Sequence, residues 1–549
     1  MAGGRNGNLE TLDAVVVGAG LAGLYQLHRL VQLGLNVRAF EAAGGVGGVW
    51  YWNRYPGARV DSHLPFYQYW FSKELWDEAD WKERFPAQPE IERYLNRVCD
   101  KFDLRRHITF GARVTSAHFD EATGRWTIAT DQGEQVSARF LVFNTGGLSE
   151  PKVPPFAGHD SFGGVSCHTS HWPRDGVELE GKRVAVVGTG ATGIQVIQTI
   201  ASQVAQLTVF QRTPNYAVAM RNPALNQDDL VAMRAGFAEL KAQSHASFGG
   251  FVYDGDPPAF DEVPADQREG HLDSVWADGT LKIWGGAFAD AFTNPEAAEA
   301  ISHYVGQRVR ERVRDPKVAE KLIPSSYHFG TRRVPLENGY YEAFNRANVT
   351  LVDLNEEPIT RIDAGGIQTS MDHYDLDVIV YATGFDAGVG ALNKVDIRGR
   401  GGLSLKGKWN EALTTTMGLQ VHGFPNLFTT MAPFAPASAL CNIPTCVDQQ
   451  VDWITTTIDF VQRRGARSIE PTAETEEAWM AHHREVSEPT LIGQTNRSWY
   501  RRTLPDGRPG ELIAYMGGVA HYREHCDAVR ASGYQGFTLS GASQATAAD

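Results

Sequence analysis

A strand–turn–helix pattern stands near the N-terminal end of the chain. Residues 14–17 form an apolar run typical of a buried strand, and residues 21–31 carry apolar side chains at helical spacing. Between the two stand Gly18, Gly20 and Gly23, in the order Gly-x-Gly-x-x-Gly. In this context the glycines allow the backbone to approach a pyrophosphate at a helix N-terminus, so the segment predicts a dinucleotide site.

The same pattern occurs a second time from residue 184. An apolar run at residues 184–187 leads into another Gly-x-Gly-x-x-Gly turn, and a helix with apolar spacing follows. A single turn of this kind is weak evidence, but two in the same context are much stronger. The residues expected to contact the second dinucleotide through this turn and its helix are Gly188, Thr189, Gly190, Gly193 and Gln195.

The strand after each turn ends in a different kind of residue. The first, at residues 37–41, ends in Glu41, whose carboxylate suits the ribose hydroxyls of an adenosine without a 2′-phosphate. The second, at residues 207–211, is followed by Arg212 and Thr213. A carboxylate would repel a 2′-phosphate, whereas arginine can bind it through two N–H groups. The first site therefore suits FAD or NAD and the second suits NADP, unless Arg212 is simply a solvated arginine at a strand end.

Other apolar runs indicate how the rest of the chain is organised. Strands at residues 139–147 and 377–386 each end in a Thr-Gly turn, and further strands are expected at 108–119 and 126–130. Residues 222–324 lack a strand pattern and are expected to be helical, for example at residues 295–313. The tail from residue 390, which includes a predicted helix at residues 447–464, is expected to pack back on the first domain.

The predicted fold class is α/β, with two Rossmann-like dinucleotide-binding domains, a helical insertion and a glutathione-reductase-like architecture. The expected parts are an FAD-binding domain at 12–150 and 389–540, an NADP-binding domain at 151–221 and 326–388, and the helical insertion at 222–325.

Composition narrows the classes of function. The 549 residues carry a net charge of −14, which speaks against a surface for nucleic acid or anionic lipid. Five cysteines, an odd number, do not suggest a disulfide framework or a zinc site, and Cys441 and Cys446 lack the CxxC spacing of a dithiol reductase. The N-terminal segment has no apolar signal core, and no run of about 18 apolar residues occurs. A cytoplasmic protein without metal or membrane contact is expected.

Two further segments resemble a known family. Residues 47–61 contain a Gly-x-Trp motif, an aromatic-Pro-Gly motif and Asp61, and residues 162–173 read Phe-x-Gly-x3-His-x3-Trp-Pro. Both segments resemble the Baeyer–Villiger monooxygenases, which include cyclohexanone, phenylacetone and steroid monooxygenases. Related flavin enzymes that oxidise nitrogen or sulfur generally have Tyr or Phe where Trp172 stands. Further matches extend the resemblance from Asp13 to Phe537.

The resemblance implies an enzyme that uses FAD, NADPH and O2 to insert one oxygen atom next to a ketone carbonyl. The product is an ester or lactone, formed through a flavin peroxide. A fixed cation would stabilise that anionic oxidant, and arginine stays protonated near neutral pH. Arg333 matches the family's catalytic arginine, and Asp61 matches the acid that positions it. No protein nucleophile is needed, because the cofactor carries the oxidation chemistry.

The resemblance also implies further cofactor contacts. Arg332 is expected to touch the 2′-phosphate beside Arg212, and Arg333 to contact the cofactors as well. Trp499 is expected on a segment that folds over NADP, although a core tryptophan is equally compatible with the sequence. His168 is either a structural histidine or a link between the two domains, and it is not expected to be catalytic. Contacts to the flavin nucleotide are expected from Gly18, Gly20, Gly23, Glu41, Val49, Trp50, Asp61, Tyr67 and Val114.

Some alternatives stay open on the sequence alone. Arg501 and Arg502 stand where many relatives have other residues, and they are either solvated charges or contacts to an anionic ligand such as a CoA-linked ketone. Residues 433–440 match a segment that lines the family's substrate pocket. A flavin-dependent N- or S-oxygenase and a nucleotide-binding regulator are the competing functions. The expected partners are a small-molecule ketone and O2, in a monomer or homodimer, and the identity of the ketone is not predicted.

Overall fold

The structure is a computed structural model that describes residues 9–153, 156–253, 255–436, 440–495, 498, 500–504 and 508–541. Trp499 therefore lies outside the described residues, as do residues 437–439 of the predicted pocket segment and residues 505–507.

The first strand–turn–helix unit lies at the centre of a sheet of eight strands. Glu10–Val17 runs parallel to Val37–Glu41 on one side and to Gln135–Phe143 on the other. Strands that are covered on both faces are apolar almost throughout, and this is why residues 14–17 could be predicted as a buried strand. In spatial order the strands are Asp396–Arg398, Val114–Asp120, Arg125–Thr130, Gln135–Phe143, Glu10–Val17, Val37–Glu41 and Ile108–Phe110, with Leu427–Thr429 also paired to Gln135–Phe143. Two late segments of the chain thus return to the first sheet.

The single strand predicted at residues 108–119 is wrong. The structure has two strands there, Ile108–Phe110 at one edge of the sheet and Val114–Asp120 beside Arg125–Thr130. The chain turns between them at Gly111, whose φ of +65° is readily adopted by glycine. Apolar residues recur in both halves, so the hydrophobic pattern did not show the turn.

The second strand–turn–helix unit lies in a sheet of five parallel strands. In spatial order these are Val349–Asp353, Gln206–Gln211, Arg183–Val187, Val378–Tyr381 and Val165–His168. The edge strand Val165–His168 belongs to the segment that resembles the family linker. The remaining strands form small antiparallel or two-stranded sheets: Ile359–Asp363, Gly366–Thr369 and His373–Asp375; Val218–Ala219 and Leu336–Glu337; Ser468–Pro471 and Phe537–Ser540; Arg501–Thr503 and Pro509–Leu512.

Helices cover both sheets and fill the region between residues 222 and 325. The predicted helix at 295–313 is Pro295–Arg312, and the one predicted at 447–464 is Ile443–Arg463. The latter begins four residues earlier because Pro444 fits the first turn, where no N–H partner is needed.

The α-helices are Leu21–Gln32, Val49–Trp52, Lys73–Asp77, Gln88–Lys101, Ala191–Ile200, Gln227–Ala235, Phe237–Ala246, Arg268–Asp278, Lys282–Gly285, Pro295–Arg312, Pro316–Leu322, Tyr340–Ala343, Gly390–Asn393, Leu405–Glu411, Ile443–Arg463, Ala473–Ser487, Leu491–Gln494 and Gly518–Ala531. Single 3-10 turns occur at Arg105–His107, His159–Ser161, Thr169–His171, Phe260–Glu262, Ala265–Gln267 and Arg400–Gly402.

The number of cysteines did not indicate a disulfide, but the structure contains one. Cys441 and Cys446 form a disulfide, with Cα atoms 6.9 Å apart, because the first turn of the helix Ile443–Arg463 brings Cys446 back towards Cys441. Cys99, Cys167 and Cys526 are free and buried. Within the described ranges, none of the helices has the length and apolar character that crossing a bilayer requires.

Buried histidines make the fold sensitive to acid. Burial lowers the pKa of His483 to about 4, although its ring Nε2 lies 2.7 Å from the Leu512 carbonyl oxygen. Between pH 6.5 and 4 the unfolded chain binds more protons at this residue than the folded chain, so stability falls as the pH falls through that window.

We expect His483→Gln to reduce the pH dependence of stability below pH 6.5. One such group contributes about 1.4 kcal/mol per pH unit. Thermal unfolding of the parent and of the variant is followed by circular dichroism at pH values from 8 to 5. For each protein this gives the slope of stability against pH. Identical slopes below pH 6.5 would show that His483 is not held neutral by the fold.

Candidate active site

The first glycine turn is closed so tightly that side chains would not fit. Gly18 has a φ of +100°, and a Cβ placed on Gly23 would lie 1.9 Å from the Gly18 carbonyl oxygen. The second turn repeats the arrangement, with 2.1 Å between a Cβ on Gly193 and the Gly188 carbonyl oxygen. Apart from its neighbours along the chain, the described residues place no atom within 4 Å of a Cβ on Gly190. The backbone at Gly190 is therefore open to a bound pyrophosphate, as the fold requires.

Glu41 ties the first turn to its neighbouring strand. Its Oε2 accepts a hydrogen bond from the Ala19 N–H at 2.6 Å, and its Oε1 accepts one from the Ala43 N–H at 2.7 Å. Burial raises the pKa of Glu41, although these N–H groups favour the charged form. Each carboxylate oxygen can accept more than one hydrogen bond, so the arrangement leaves capacity for a ribose hydroxyl. That contact stays a prediction.

The Gly-x-Trp segment lies directly against the first turn. The Gly47 N–H donates to the Ala19 carbonyl oxygen at 3.0 Å, and a Cβ on Gly48 would lie 2.9 Å from the Gly20 Cα. Trp50 Nε1 donates to the Tyr67 hydroxyl at 2.9 Å. Val49 starts the same short helix, and Val114 is buried in the core of the first sheet. The predicted flavin contacts thus come from segments that meet around one turn or its sheet.

The aromatic-Pro-Gly segment joins the two nucleotide-binding units. The Tyr55 hydroxyl donates to Gln195 Oε1 at 2.9 Å, and Gln195 Nε2 donates to the Arg59 carbonyl oxygen at 3.0 Å. A Cβ on Gly57 would lie 2.5 Å from the Gln195 carbonyl oxygen. Gln195 was expected to contact the second dinucleotide. In the structure both ends of its side-chain amide bind the aromatic-Pro-Gly segment, and its contact with the dinucleotide stays a prediction.

Arg333 and Asp61, 272 residues apart, form a two-point ion pair. Nε and Nη2 of Arg333 each donate to one carboxylate oxygen of Asp61 at 2.6 Å. The guanidinium also lies over the Trp284 ring, 5.4 Å from its centroid. Burial opposes the charge on Arg333, but the Asp61 carboxylate outweighs it and holds the pKa of Arg333 above its ordinary value. The site therefore contains a permanent cation of fixed orientation.

Three tyrosine hydroxyls lie within electrostatic range of this ion pair. They belong to Tyr67, Tyr253 and Tyr500, and burial raises the pKa of each well above its ordinary value. All three are therefore neutral donors at ordinary pH. Sequence reasoning singled out Tyr67 but not the other two. Tyr253 lies in the helical insertion, where no recognised motif marks it.

The strand end expected to bind the 2′-phosphate is tied to the second glycine turn. The Thr189 hydroxyl donates to the Thr213 carbonyl oxygen at 3.1 Å. Arg212 is exposed, and Arg332 lies over the ring of Tyr327, 4.3 Å from its centroid. Aromatic packing of this kind helps to orient a guanidinium. Phosphate binding by Arg212 and Arg332 stays a prediction.

His168 has the features of a structural histidine. Its Nδ1 accepts a hydrogen bond from the Ser170 N–H at 3.1 Å and lies 2.8 Å from the Ser170 hydroxyl. Burial, with a smaller contribution from His171, lowers the pKa of His168 to about 4. The ring meets Phe385 edge to face, with centroids 5.9 Å apart. A neutral imidazole at the edge of the second sheet supports a role in joining the linker to that sheet.

Arg501 and Arg502 both donate hydrogen bonds to main-chain carbonyl oxygens. Arg501 donates to the carbonyl oxygens of Thr495, Gly510 and Gly493, the first two at 3.1 and 2.8 Å. Arg502 donates to the Trp409 carbonyl oxygen at 2.6 Å. These contacts speak against fully solvated side chains, and contact with an anionic ligand stays an untested alternative. These arginines hold the hairpin, meaning the paired strands Arg501–Thr503 and Pro509–Leu512, to the rest of the fold.

The two turns fit the cofactors that the strand ends suggested. One has a buried carboxylate that accepts hydrogen bonds from the backbone N–H groups of Ala19 and Ala43, and the other has open space at Gly190 and is followed by a strand whose end carries the exposed Arg212. FAD fits the first turn and NADPH the second.

Comparison with known proteins defines the class. Residues 13–236 match the model of the flavin-binding monooxygenase-like family. The chain is 48% identical over 531 residues to the acetone monooxygenase (methyl acetate-forming) of Gordonia sp. (strain TY-5), covering 96% of this chain and 99% of the relative. It is 38% identical to a Baeyer–Villiger monooxygenase of Pseudooceanicola batsensis, covering 95% of each. A crystal structure of OTEMO in complex with FAD and NADP superposes with a TM-score of 0.92 at 39% identity, covering 96% of this chain and 99% of that one.

The chain therefore belongs to the Baeyer–Villiger monooxygenases. It is an FAD-containing, NADPH-dependent enzyme of that class, and the predicted family and α/β fold are confirmed.

Proposed function

We propose that the chain converts a small ketone and O2 into an ester or lactone at the Arg333–Asp61 pair. The single observation that carries the proposal is the two-point contact between these residues, which holds a buried cation in one orientation. The acetone monooxygenase to which the chain is similar supports a small ketone.

The residues of the site account for the protein's part in the reaction. Bound FAD and NADPH supply hydride transfer and the activation of oxygen. Arg333 places positive charge where negative charge develops on oxygen during insertion, and Asp61 keeps the guanidinium in position. A preorganised charge of this kind costs no rearrangement at the moment of reaction. The neutral hydroxyls of Tyr67, Tyr253 and Tyr500 provide hydrogen-bond donors without competing charge.

The surroundings of Arg333 favour a compact substrate. The large aromatic side chains of Trp284, Tyr253 and Tyr500 all lie within interaction range of the guanidinium. They leave less space beside the cation than small aliphatic residues would. We therefore expect acetone, butan-2-one or a small cyclic ketone to be preferred over steroidal or CoA-linked ketones.

A ketone panel tests this function directly. Acetone, butan-2-one, cyclopentanone, cyclohexanone, acetophenone and a steroidal ketone are each offered with NADPH, and NADPH consumption and product mass are recorded together. We expect the small ketones to gain one oxygen atom, with the label recovered from 18O2. An amine and a sulfide are included, because oxidation of these alone would identify an N- or S-oxygenase instead. NADPH consumption without any oxygenated ketone would contradict the proposal.

Arg212→Ala is expected to weaken the binding of NADPH much more than the binding of NADH. Loss of a charge-assisted contact to the 2′-phosphate costs about 2 kcal/mol, or roughly a 30-fold rise in the KM for NADPH. The KM for NADH, which lacks that phosphate, serves as the internal control. Equal weakening of both nucleotides would show that Arg212 does not bind the phosphate.

The division of the chain into parts stays a proposal as well. The return of Asp396–Arg398 and Leu427–Thr429 to the first sheet supports an FAD-binding domain made of residues 12–150 and 389–540. The second sheet supports an NADP-binding domain at 151–221 and 326–388, around the insertion at 222–325. We further propose a cytoplasmic monomer or homodimer.

A further inference from the structure

One buried hydroxyl beside the Arg333–Asp61 pair is not used by any contact described above. The Tyr253 hydroxyl oxygen is inaccessible to solvent, and it has no hydrogen-bond partner among the residues that the structure describes. Buried hydroxyls are normally hydrogen-bonded, because an unpaired one loses its interaction with water without replacement. An unpaired donor next to a reaction site points to a group that binds there.

Tyr253 lies between two segments that shape the surroundings of the ion pair. Its ring stacks on the His63 ring, with centroids 6.0 Å apart and an angle of 29° between the planes. On another side, a Cβ placed on Gly286 would lie 3.4 Å from Tyr253 Cδ2. His63 follows Asp61 by two residues, and Gly286 follows Trp284, which lies under the Arg333 guanidinium, by two. The tyrosine is therefore held against both segments.

The Tyr253 hydroxyl can act as a donor at any working pH. Burial raises the pKa of Tyr253 far above its ordinary value, Asp278 raises it further, and Arg333 opposes the shift. The proton thus stays on the oxygen. The neighbouring His63 is neutral too, because burial lowers its pKa to about 3.

We propose that Tyr253 binds the substrate by donating a hydrogen bond from its hydroxyl to the carbonyl oxygen of the ketone. The inference rests on the proposed function, since the ketone carbonyl is the acceptor. A small ketone buries few carbon atoms, so one polar contact decides how it is oriented. A donor to the carbonyl oxygen also withdraws electron density from the carbonyl carbon, where oxygen adds. The same contact therefore orients and activates the substrate.

Tyr253→Phe tests the contact, because it removes one oxygen atom and keeps the ring. With butan-2-one we expect kcat/KM to fall about tenfold, through a higher KM and a lower kcat, as for the loss of one hydrogen bond that both orients and activates the substrate. The methylidene isostere 2-methylbut-1-ene has the same shape but no carbonyl oxygen, so its Ki as a competitive inhibitor should not change. The KM for NADPH should not change either.

Tyr381→Phe is the matched control. The Tyr381 hydroxyl is also buried, but it lies in the second sheet. We expect the Tyr381→Phe variant to have the same kcat/KM for butan-2-one as the parent. The inference is overturned if Tyr253→Phe leaves the KM for butan-2-one unchanged, or if the Ki of 2-methylbut-1-ene rises by the same factor. If the parent oxidises no ketone of the panel, the proposed function fails instead, which separates the two failures.

Discussion

Arg333→Ala is expected to lower ester formation by roughly 100- to 1,000-fold, while NADPH still reduces the bound flavin at a similar rate. The guanidinium is the fixed cation beside Asp61, with both N–H contacts at 2.6 Å. Without it, the negative charge that develops on oxygen has no preorganised partner. The carboxylate of Asp61 then adds to the loss, because it places unbalanced negative charge in the same place.

Two measurements separate the role of Arg333 from a general loss of structure. Stopped-flow reduction by NADPH under anaerobic conditions reports the binding and hydride-transfer steps, and ester formation under air reports oxygen insertion. Arg333→Lys keeps the charge but loses the two-point contact, so we expect it to fall between parent and alanine variant. A parent-like rate of ester formation in Arg333→Ala would show that this cation does not assist oxygen insertion. Equal loss of both rates would indicate a damaged cofactor site.

The local parts of the fold could be predicted from the sequence. A strand–turn–helix unit has a signature within about 20 residues, since apolar spacing changes from a buried strand to a helical repeat across Gly18 or Gly188. The same approach failed at residues 108–119. Two strands that both carry apolar residues, separated by a turn at Gly111, have a pattern similar to that of one longer strand, although they lie in different places of the sheet.

The Arg333–Asp61 pair could be anticipated only through the family resemblance. The two residues are 272 positions apart, and nothing in their spacing indicates contact. Tyr253 was missed for a related reason. It comes from the helical insertion, which has neither a regular period at that point nor a recognised motif. Its position becomes evident only when the chain is folded around Asp61.

The arginines of the hairpin show a limit of reasoning from charge alone. On the sequence, Arg501 and Arg502 were expected to meet either solvent or an anionic ligand. The structure uses both guanidinium groups for main-chain carbonyl oxygens, including those of Thr495 and Trp409. Such contacts depend on where loops meet, and they leave no periodic pattern. The same holds for the hydrogen bonds by which the side-chain amide of Gln195 joins two segments.

The segment that begins at Arg333 is held in place by a buried ion pair. Glu337 has no solvent-exposed side-chain surface, and its oxygens accept hydrogen bonds from Arg312 at 2.6 and 3.1 Å. One of these oxygens also accepts from the N–H groups of Gly339 and Tyr340 at 3.0 and 2.9 Å. Through these contacts the helix Pro295–Arg312 fixes the chain a few residues after Arg333.

Arg312→Met is expected to destabilise this part of the protein by about 3–5 kcal/mol, because it leaves the Glu337 carboxylate buried without a cation. The matched control is Arg310→Met on the same helix. Arg310 makes a similar two-point contact with Glu320, but these side chains are 46% and 58% exposed. Exposed pairs contribute about 0–1 kcal/mol, so we expect little change in the control.

Thermal unfolding by circular dichroism compares the two variants with the parent, and ester formation is measured at rising temperature in parallel. We expect Arg312→Met to unfold at a distinctly lower temperature and to lose ester formation before its helices unfold, because the segment that carries Arg333 is released first. Equal unfolding temperatures for Arg312→Met and Arg310→Met would show that burial of Glu337 adds nothing. Loss of activity only at global unfolding would show that the ion pair does not hold the Arg333 segment separately.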